Sequence, residues 1–368
     1  MIIILILAQS LIFGLLKKFQ RTSGLLTFMT LGFYSGIADI RHNADYKLYL
    51  ASFDMKWSNF EQGYTYFAQA AKNYGVTYEN FRLAFCLITY FILFIGIVKL
   101  TENVALVSFL YGISMYPLES IQVRNTLMIA IITWMVVVLK KDDNWRYFVA
   151  IIIVWISSLF HSLGLIFIVI PIFTYLFRNR EFTYYKYVSL VIYGLSIIFV
   201  AFGKGILISL SVLITKLFSG RESLANNLTN VYSNSAVNKV WIAMLVLAII
   251  ISIFPIFNKE TITENKFLKV EYRPLLWMLL LAALSILLMT VTVDYIRLIR
   301  NVSLFYFIWT AIIFNNESSS VTTRYFNIAS ASAIGIGIMI VQIFGIYKIG
   351  DQLPYIMRII NQNIISRG

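Results

Sequence analysis

Long apolar runs recur from one end of this 368-residue chain to the other, and they limit the folds open to it more than any other feature. A helix needs about 20 apolar residues to cross a bilayer core of about 30 Å. Inside that core every backbone amide must be bonded within a helix or a closed barrel. The runs do not alternate polar and apolar residues, so they do not read as barrel strands. The expected fold is all-α: a polytopic helical membrane protein of about twelve transmembrane helices. Composition agrees, with 60% hydrophobic and only 13% charged residues, against about a quarter charged in a soluble domain.

Twelve spans are expected, at 2–16, 23–38, 81–98, 104–118, 121–139, 147–160, 162–177, 187–203, 240–257, 274–293, 297–314 and 328–347. The segment 205–218 is apolar and reads as a re-entrant or interfacial helix. The first run has neither a basic leader nor a small-residue cleavage site, so no cleavable signal peptide is expected. The whole of 1–368 is then a single integral membrane domain with two long loops, 39–80 and 204–239, on one side.

The net charge of +13 would raise nucleic acid as a partner in a soluble protein. Here the bases flank apolar runs, which reads as topology signals and contacts with membrane lipid headgroups rather than nucleic acid. Arg82 fits the same reading, as a base that snorkels to the interface. The short loops 17–22, 140–146 and 178–186 are rich in Lys and Arg, whereas the turns at 119–120, near 161 and at 294–296 carry none. The basic loops are therefore expected in the cytoplasm, and both long loops and both termini outside. Cys86 stands alone and cannot form an internal disulfide. Two histidines are too few for a His-rich metal site.

Ionisable groups at membrane depth are costly and point to function. Glu119, Gln122 and Arg124 lie in "ESIQVRNTLM"; His161 lies in "SSLFHSLGL"; Asp294, Arg297 and Arg300 form "DYIRLIR". Arg41, Asp45, Glu61 and Tyr64 lie in the loop 39–80, in "RHNADYKLYLASFDMKWSNFEQGY". The loop count places all of these at one leaflet. Guanidinium forks suit phosphate oxygens, while tyrosines beside carboxylates suit sugar rings and their hydroxyls. A carboxylate or histidine there could serve as general base. Together these residues suggest glycosyl transfer from a lipid pyrophosphate to a sugar hydroxyl. Structural readings stand beside this one: Asp294 could simply neutralise Arg297, and His161 could be a hydrogen-bonded turn histidine.

These residues resemble the EpsG-like family of Wzy-type bacterial polysaccharide polymerases. The likeness rests on Arg41 before Asp45, Tyr46 and Tyr49; on Glu61, Gly63 and Tyr64; on Gln122 and Arg124; and on Phe160 and His161. It extends to Arg297 and Arg300 running into Phe305, Tyr306 and Phe307, and to a terminal Pro354 and Tyr355. One departure is "NAD", where the family often has Gly just before the Asp. The resemblance implies a GT-C-like glycosyltransferase arrangement in the bacterial inner (cytoplasmic) membrane. Its substrates would be undecaprenyl-pyrophosphate-linked oligosaccharides, joined into exopolysaccharide, capsule or O-antigen, with a flippase and a chain-length regulator as partners. It implies Asp45, Glu61 or His161 as catalytic groups. Arg41, Tyr46, Tyr49, Tyr64, Gln122, Arg124, Arg297 and Arg300 would bind substrate. No metal and no cofactor is expected. The alternatives are a flippase or transporter of lipid-linked oligosaccharides, an O-antigen ligase or membrane acyltransferase, and a scaffold of an export complex.

Overall fold

A computed structural model describes residues 2–41, 43, 45–55, 60–141, 143–178, 182–202, 239–257, 272–289, 293–317 and 319–346. The expected second long loop, the segment 205–218 and the Pro354–Tyr355 motif lie outside the described residues. Among the described residues the chain is helical, with no strand, and each of the twelve expected apolar stretches falls on helix. Tyr78–Leu100, Ile296–Asn315 and Val321–Phe344 are each long and apolar enough to cross a membrane. The other apolar helices are shorter.

The chain divides into two compact units. The first comprises Met1–Ile172, Phe307–Ile336 and Ile349–Gly368. It opens with α1 (Ile2–Leu16), α2 (Gln20–Gly36), α3 (Tyr46–Asp54), α4 (Gln62–Asn73) and α5 (Tyr78–Leu100). There follow α6 (Val104–Ser114), the single turn α7 (Tyr116–Glu119), α8 (Val123–Leu139) and α9 (Asn144–Ser158). A 3-10 helix, Ser162–Ile168, then leads into α10 (Val169–Leu176). Helix α2 packs on α5 and α6, α5 on α8, and α8 on α9. Without a hydrophobic drive between helices in lipid, such packing relies on small residues that let backbones approach. Gly36 of α2 shows this: a Cβ there would lie 2.7 Å from the Leu83 Cα of α5. The outward face of α9 presents Trp145, Phe148, Ile152 and Trp155, an apolar stripe at helical spacing.

The loops of this unit sort into two groups. Lys17 donates to the Asn315 carbonyl at 3.5 Å, Asn103 to the Gly14 carbonyl at 3.0 Å, and Lys140 to the Lys99 carbonyl at 3.1 Å. These are loops that the charge count placed on one common side. At the other group, Asn43 donates to the Ser120 carbonyl at 3.2 Å, and the Ser162 amide donates to Glu61 at 3.0 Å. The alternation of loops expected from the sequence is thus present as direct contacts within this unit.

The first long loop is not an undifferentiated lid. It folds into α3 and α4, joined to the bundle by an aromatic core that includes Tyr46, Tyr49, Phe53, Tyr64, Tyr78, Phe81 and Phe85. Helix α4 ends because Gly75 adopts φ +75°, where L side chains are strained. Its amide reaches the Lys72 carbonyl at 2.9 Å, and Val76 reaches the Ala71 carbonyl at 3.0 Å, closing a Schellman end. Thr77 then caps α5, accepting from the Asn80 amide at 3.4 Å.

The second unit comprises Phe173–Tyr306 and Gly337–Lys348. It contains α11 (Phe182–Phe202), α12 (Lys239–Phe257) and α13 (Arg273–Met289), with α13 packed against both of the others. Helix α14 (Ile296–Asn315) begins in this unit, and α15 (Val321–Ile340) runs into it and ends in a π-turn, Val341–Ile346. Phe173, Phe177 and Tyr185 pack their rings against Trp277.

Candidate active site

Arg124 lies in the first turn of α8 and meets a carboxylate, a phenol hydroxyl and three aromatic rings. Its Nη1 is ion-paired and hydrogen-bonded to Glu61 Oε2, and its Nε donates to the Tyr49 hydroxyl at 3.2 Å. The guanidinium lies 4.0 Å from the Phe60 ring centroid, 5.4 Å from Tyr49 and 5.9 Å from Tyr64. Three aromatic faces therefore surround a cation whose charge a carboxylate meets. Both partners keep some access to solvent, with side chains 14% and 9% exposed.

Glu61 is placed by backbone geometry. It stands at the N-cap of α4 with extended φ and ψ. Its Oε1 accepts from the Ser162 amide at 3.0 Å, and the next amide, that of Leu163, donates to His161 Nδ1 at 3.2 Å. The Gly63 amide donates to the Leu159 carbonyl at 2.8 Å. Phe67 stacks on Phe160, with centroids 6.0 Å apart. Helix α4 is thus docked on the corner between α9 and the 3-10 helix. The three sequence segments that carry Glu61, Arg124 and His161 meet at one place.

His161 caps the 3-10 helix with its Nδ1. Since that nitrogen accepts an amide proton, the neutral ring carries its own proton on Nε2 and presents a donor there. Asp45 precedes α3, and its carbonyl accepts from the Tyr49 amide at 3.0 Å. Its charge acts on the Tyr49 hydroxyl. Burial pushes the Tyr49 hydroxyl above the ordinary phenol value, with Arg124 pulling the other way. Tyr64 is pushed up further, again mainly by burial. Both are therefore neutral phenols at physiological pH.

Other expected site residues fall differently. Tyr46, Tyr49 and Tyr64 are buried in the aromatic core rather than lining an open surface. Gln122 is buried at the N-cap of α8, where its carbonyl accepts from Thr126. Arg41 is exposed, but it forks onto the buried carboxylate of Asp39 at 2.8 and 3.2 Å. Asp39 was not singled out by sequence, although an acid two residues from Arg41 was there to be read. In the second unit, Arg297 lies 3.8 Å from Asp294, the neutralising pair that the spacing allowed. Arg300 is buried and donates to Gln342 Oε1 at 2.8 Å. Phe305, Tyr306 and Phe307 are fully buried.

Arg82 corrects the sequence reading. It does not snorkel: it is 1% exposed. Its Nε donates to the Ser35 carbonyl at 3.1 Å, its Nη2 to the Ser120 carbonyl at 3.0 Å, and its Nη1 to the Tyr78 hydroxyl at 3.3 Å. A buried cation without such partners would cost several kcal/mol. Glu119 is fully buried as well, and accepts from Asn125 at 2.9 Å and from Thr126 at 2.9 Å.

Among the described residues, no group of three or more His, Cys, Asp or Glu could hold a metal ion. The model of the EpsG family matches residues 22–357. No curated protein and no solved structure matches the chain.

Proposed function

The chain belongs to the EpsG family, a Wzy-type polysaccharide polymerase family, and from that premise we propose that it joins undecaprenyl-pyrophosphate-linked repeat units at the outer leaflet. The family implies glycosyltransferase-type chemistry and a lipid-linked sugar substrate in a membrane. The observation that carries the finer reading is the Arg124–Glu61 pair, held where the first loop, the start of α8 and the His161 corner meet.

In this reading Arg124 holds the pyrophosphate of the donor. A hydroxyl oxygen of the acceptor attacks the donor's anomeric carbon. The bond from that carbon to the pyrophosphate oxygen breaks, the hydroxyl proton passes to a carboxylate, and the lipid pyrophosphate leaves on Arg124. Glu61 is favoured over Asp45 as the carboxylate because it already touches Arg124. An arriving pyrophosphate replaces Glu61 on the guanidinium and frees the carboxylate for the acceptor. His161 contributes a donor rather than a base. Tyr49 and Tyr64, with Tyr46 behind them, form the wall that fixes Arg124, and Gln122 sets the start of its helix. Arg41 belongs to this reading as a further phosphate contact, and Arg297 and Arg300 are proposed as substrate-binding residues of the second unit. The setting is a bacterial cytoplasmic membrane, in a GT-C-like arrangement of about twelve spans, alongside a flippase and a chain-length regulator.

Purified protein supplied with a lipid-linked oligosaccharide and no nucleotide sugar tests the reading. A ladder of longer products supports it, whereas translocation without elongation supports a flippase. Arg124→Ala should shorten or abolish the ladder by roughly 10²–10³-fold in rate. Arg124→Lys should recover little of it, because a point charge does not reproduce the fork. Wild-type product lengths from Arg124→Ala at normal expression would remove the pyrophosphate role.

A further inference from the structure

We propose that Arg82 is a positioning residue for Arg124, setting where the candidate leaving-group site stands relative to the first outer loop. The proposal rests on the reading of Arg124 given above.

The geometry joins two routes. Along the first, Arg82 Nη2 bonds the Ser120 carbonyl, which also accepts from Asn43. Ser120 ends the α7 turn, two residues before the N-cap of α8 and four before Arg124. Along the second, the Arg82 guanidinium lies 5.1 Å from the Tyr46 ring centroid. Tyr46 meets Tyr78 edge-on at 5.1 Å, and Tyr78 accepts from Arg82 Nη1. Tyr46 and Tyr49 are three residues apart on α3 and share a face, and Tyr49 accepts from Arg124 Nε. Both routes start at one guanidinium and end at the other.

The chemistry explains why an arginine stands here. Ser35 lies in the last turn of α2 and Ser120 closes α7. Carbonyls at helix ends lack intrahelical donors and carry the negative end of the helix dipole. Arg82 serves both ends at once, through two nitrogens of one rigid plane, while its face lies against an aromatic ring. A lysine ammonium keeps the charge but donates from a single point, so it cannot span the same carbonyls. Arg82 is buried. Its effect on the reaction passes through Arg124.

A double-mutant cycle on elongation in proteoliposomes separates positioning from folding, with kcat/KM and thermal unfolding measured for each variant. Arg82→Lys should unfold earlier than wild type, because one carbonyl loses its donor, yet at temperatures where it stays folded it should lose about 10²-fold in kcat/KM, as expected when a reacting group is misplaced. Arg124→Gln alone should lose about 10²–10³-fold. The double variant should be no slower than Arg124→Gln. A milder change runs in parallel: Tyr78→Phe removes only the hydroxyl that accepts from Arg82. It should cost about three- to tenfold in the native background and nothing in the Arg124→Gln background. Losses that multiply in either cycle, or native kcat/KM in both Arg82→Lys and Tyr78→Phe, would overturn the positioning role and leave the reading of Arg124 standing. Native elongation by Arg124→Gln would instead overturn that reading, and this proposal with it.

Discussion

At Gly63 there is no room for a side chain. A Cβ there would sit 2.7 Å from the Leu159 carbonyl oxygen, the same atom that the Gly63 amide bonds. Gly63→Ala should therefore push α4 off the corner, lengthen the Glu61–Ser162 contact, and lower elongation by at least about tenfold. Comparing its rate with that of an alanine at exposed Gln62 checks this. Gln62→Ala should behave like the native protein. Sequence reading singled out Glu61, Arg124 and His161, whose segments the structure brings together, because ionisable groups stand out in an apolar chain. It misread Arg82 because the partners of that residue are the carbonyls of Ser35 and Ser120, and backbone carbonyls leave no mark in a sequence. Arg41 was expected to bind substrate, and Asp39, two residues before it, was not singled out; the structure pairs the two. The departure at "NAD" left Asp45 and Glu61 equally placed; the contact with Arg124 favours Glu61.

Helices α3 and α4 were the elements least visible beforehand. Their aromatic content marked the loop as ordered, but the internal helices depend on packing against Phe81, Phe85 and Val123 of other elements. That packing has a pH signature. Tyr49 and Tyr64 are raised above about 10, the ordinary phenol value, by burial. An undocked loop would ionise its phenols first. The stability they contribute to docking is fully present below about pH 10 and is lost as pH rises from there through the raised values. Hydrogen-exchange protection of α3 and α4 should therefore fall as pH rises above about 10, the ordinary phenol value. The fall should be shallower in Tyr49→Phe, and α5 should keep its protection. Equal slopes for the native protein and Tyr49→Phe would mean that Tyr49 does not link docking to pH.

Across the described residues, the twelve apolar runs read from the sequence fall on helix, and the order of the runs implied which loops of the first unit share a side. Orientation in the membrane is open to direct measurement. Cys86 is buried and is the only cysteine, so the native protein should resist a membrane-impermeant maleimide. Tyr74 is 88% exposed beside α4, and Lys141 is exposed after α8. Tyr74→Cys should label from outside intact cells, and Lys141→Cys only after lysis. The reverse pattern would invert the topology.

The short helices carry one more consequence. Helices α1 and α9 have 15 residues each. At 1.5 Å per residue each is about 22 Å long, against a hydrocarbon core of about 30 Å. A bilayer around such a rim adapts by thinning, at a cost of fractions of a kcal/mol per Å. On the proposed reading, thinning draws the phosphate of the lipid-linked donor inward, toward the start of the Arg124 helix. Acyl-chain length then becomes a control on turnover. Elongation should be fastest in short-chain phosphatidylcholine vesicles and should decline as the chains lengthen, and a rate indifferent to bilayer thickness would argue against this mismatch effect.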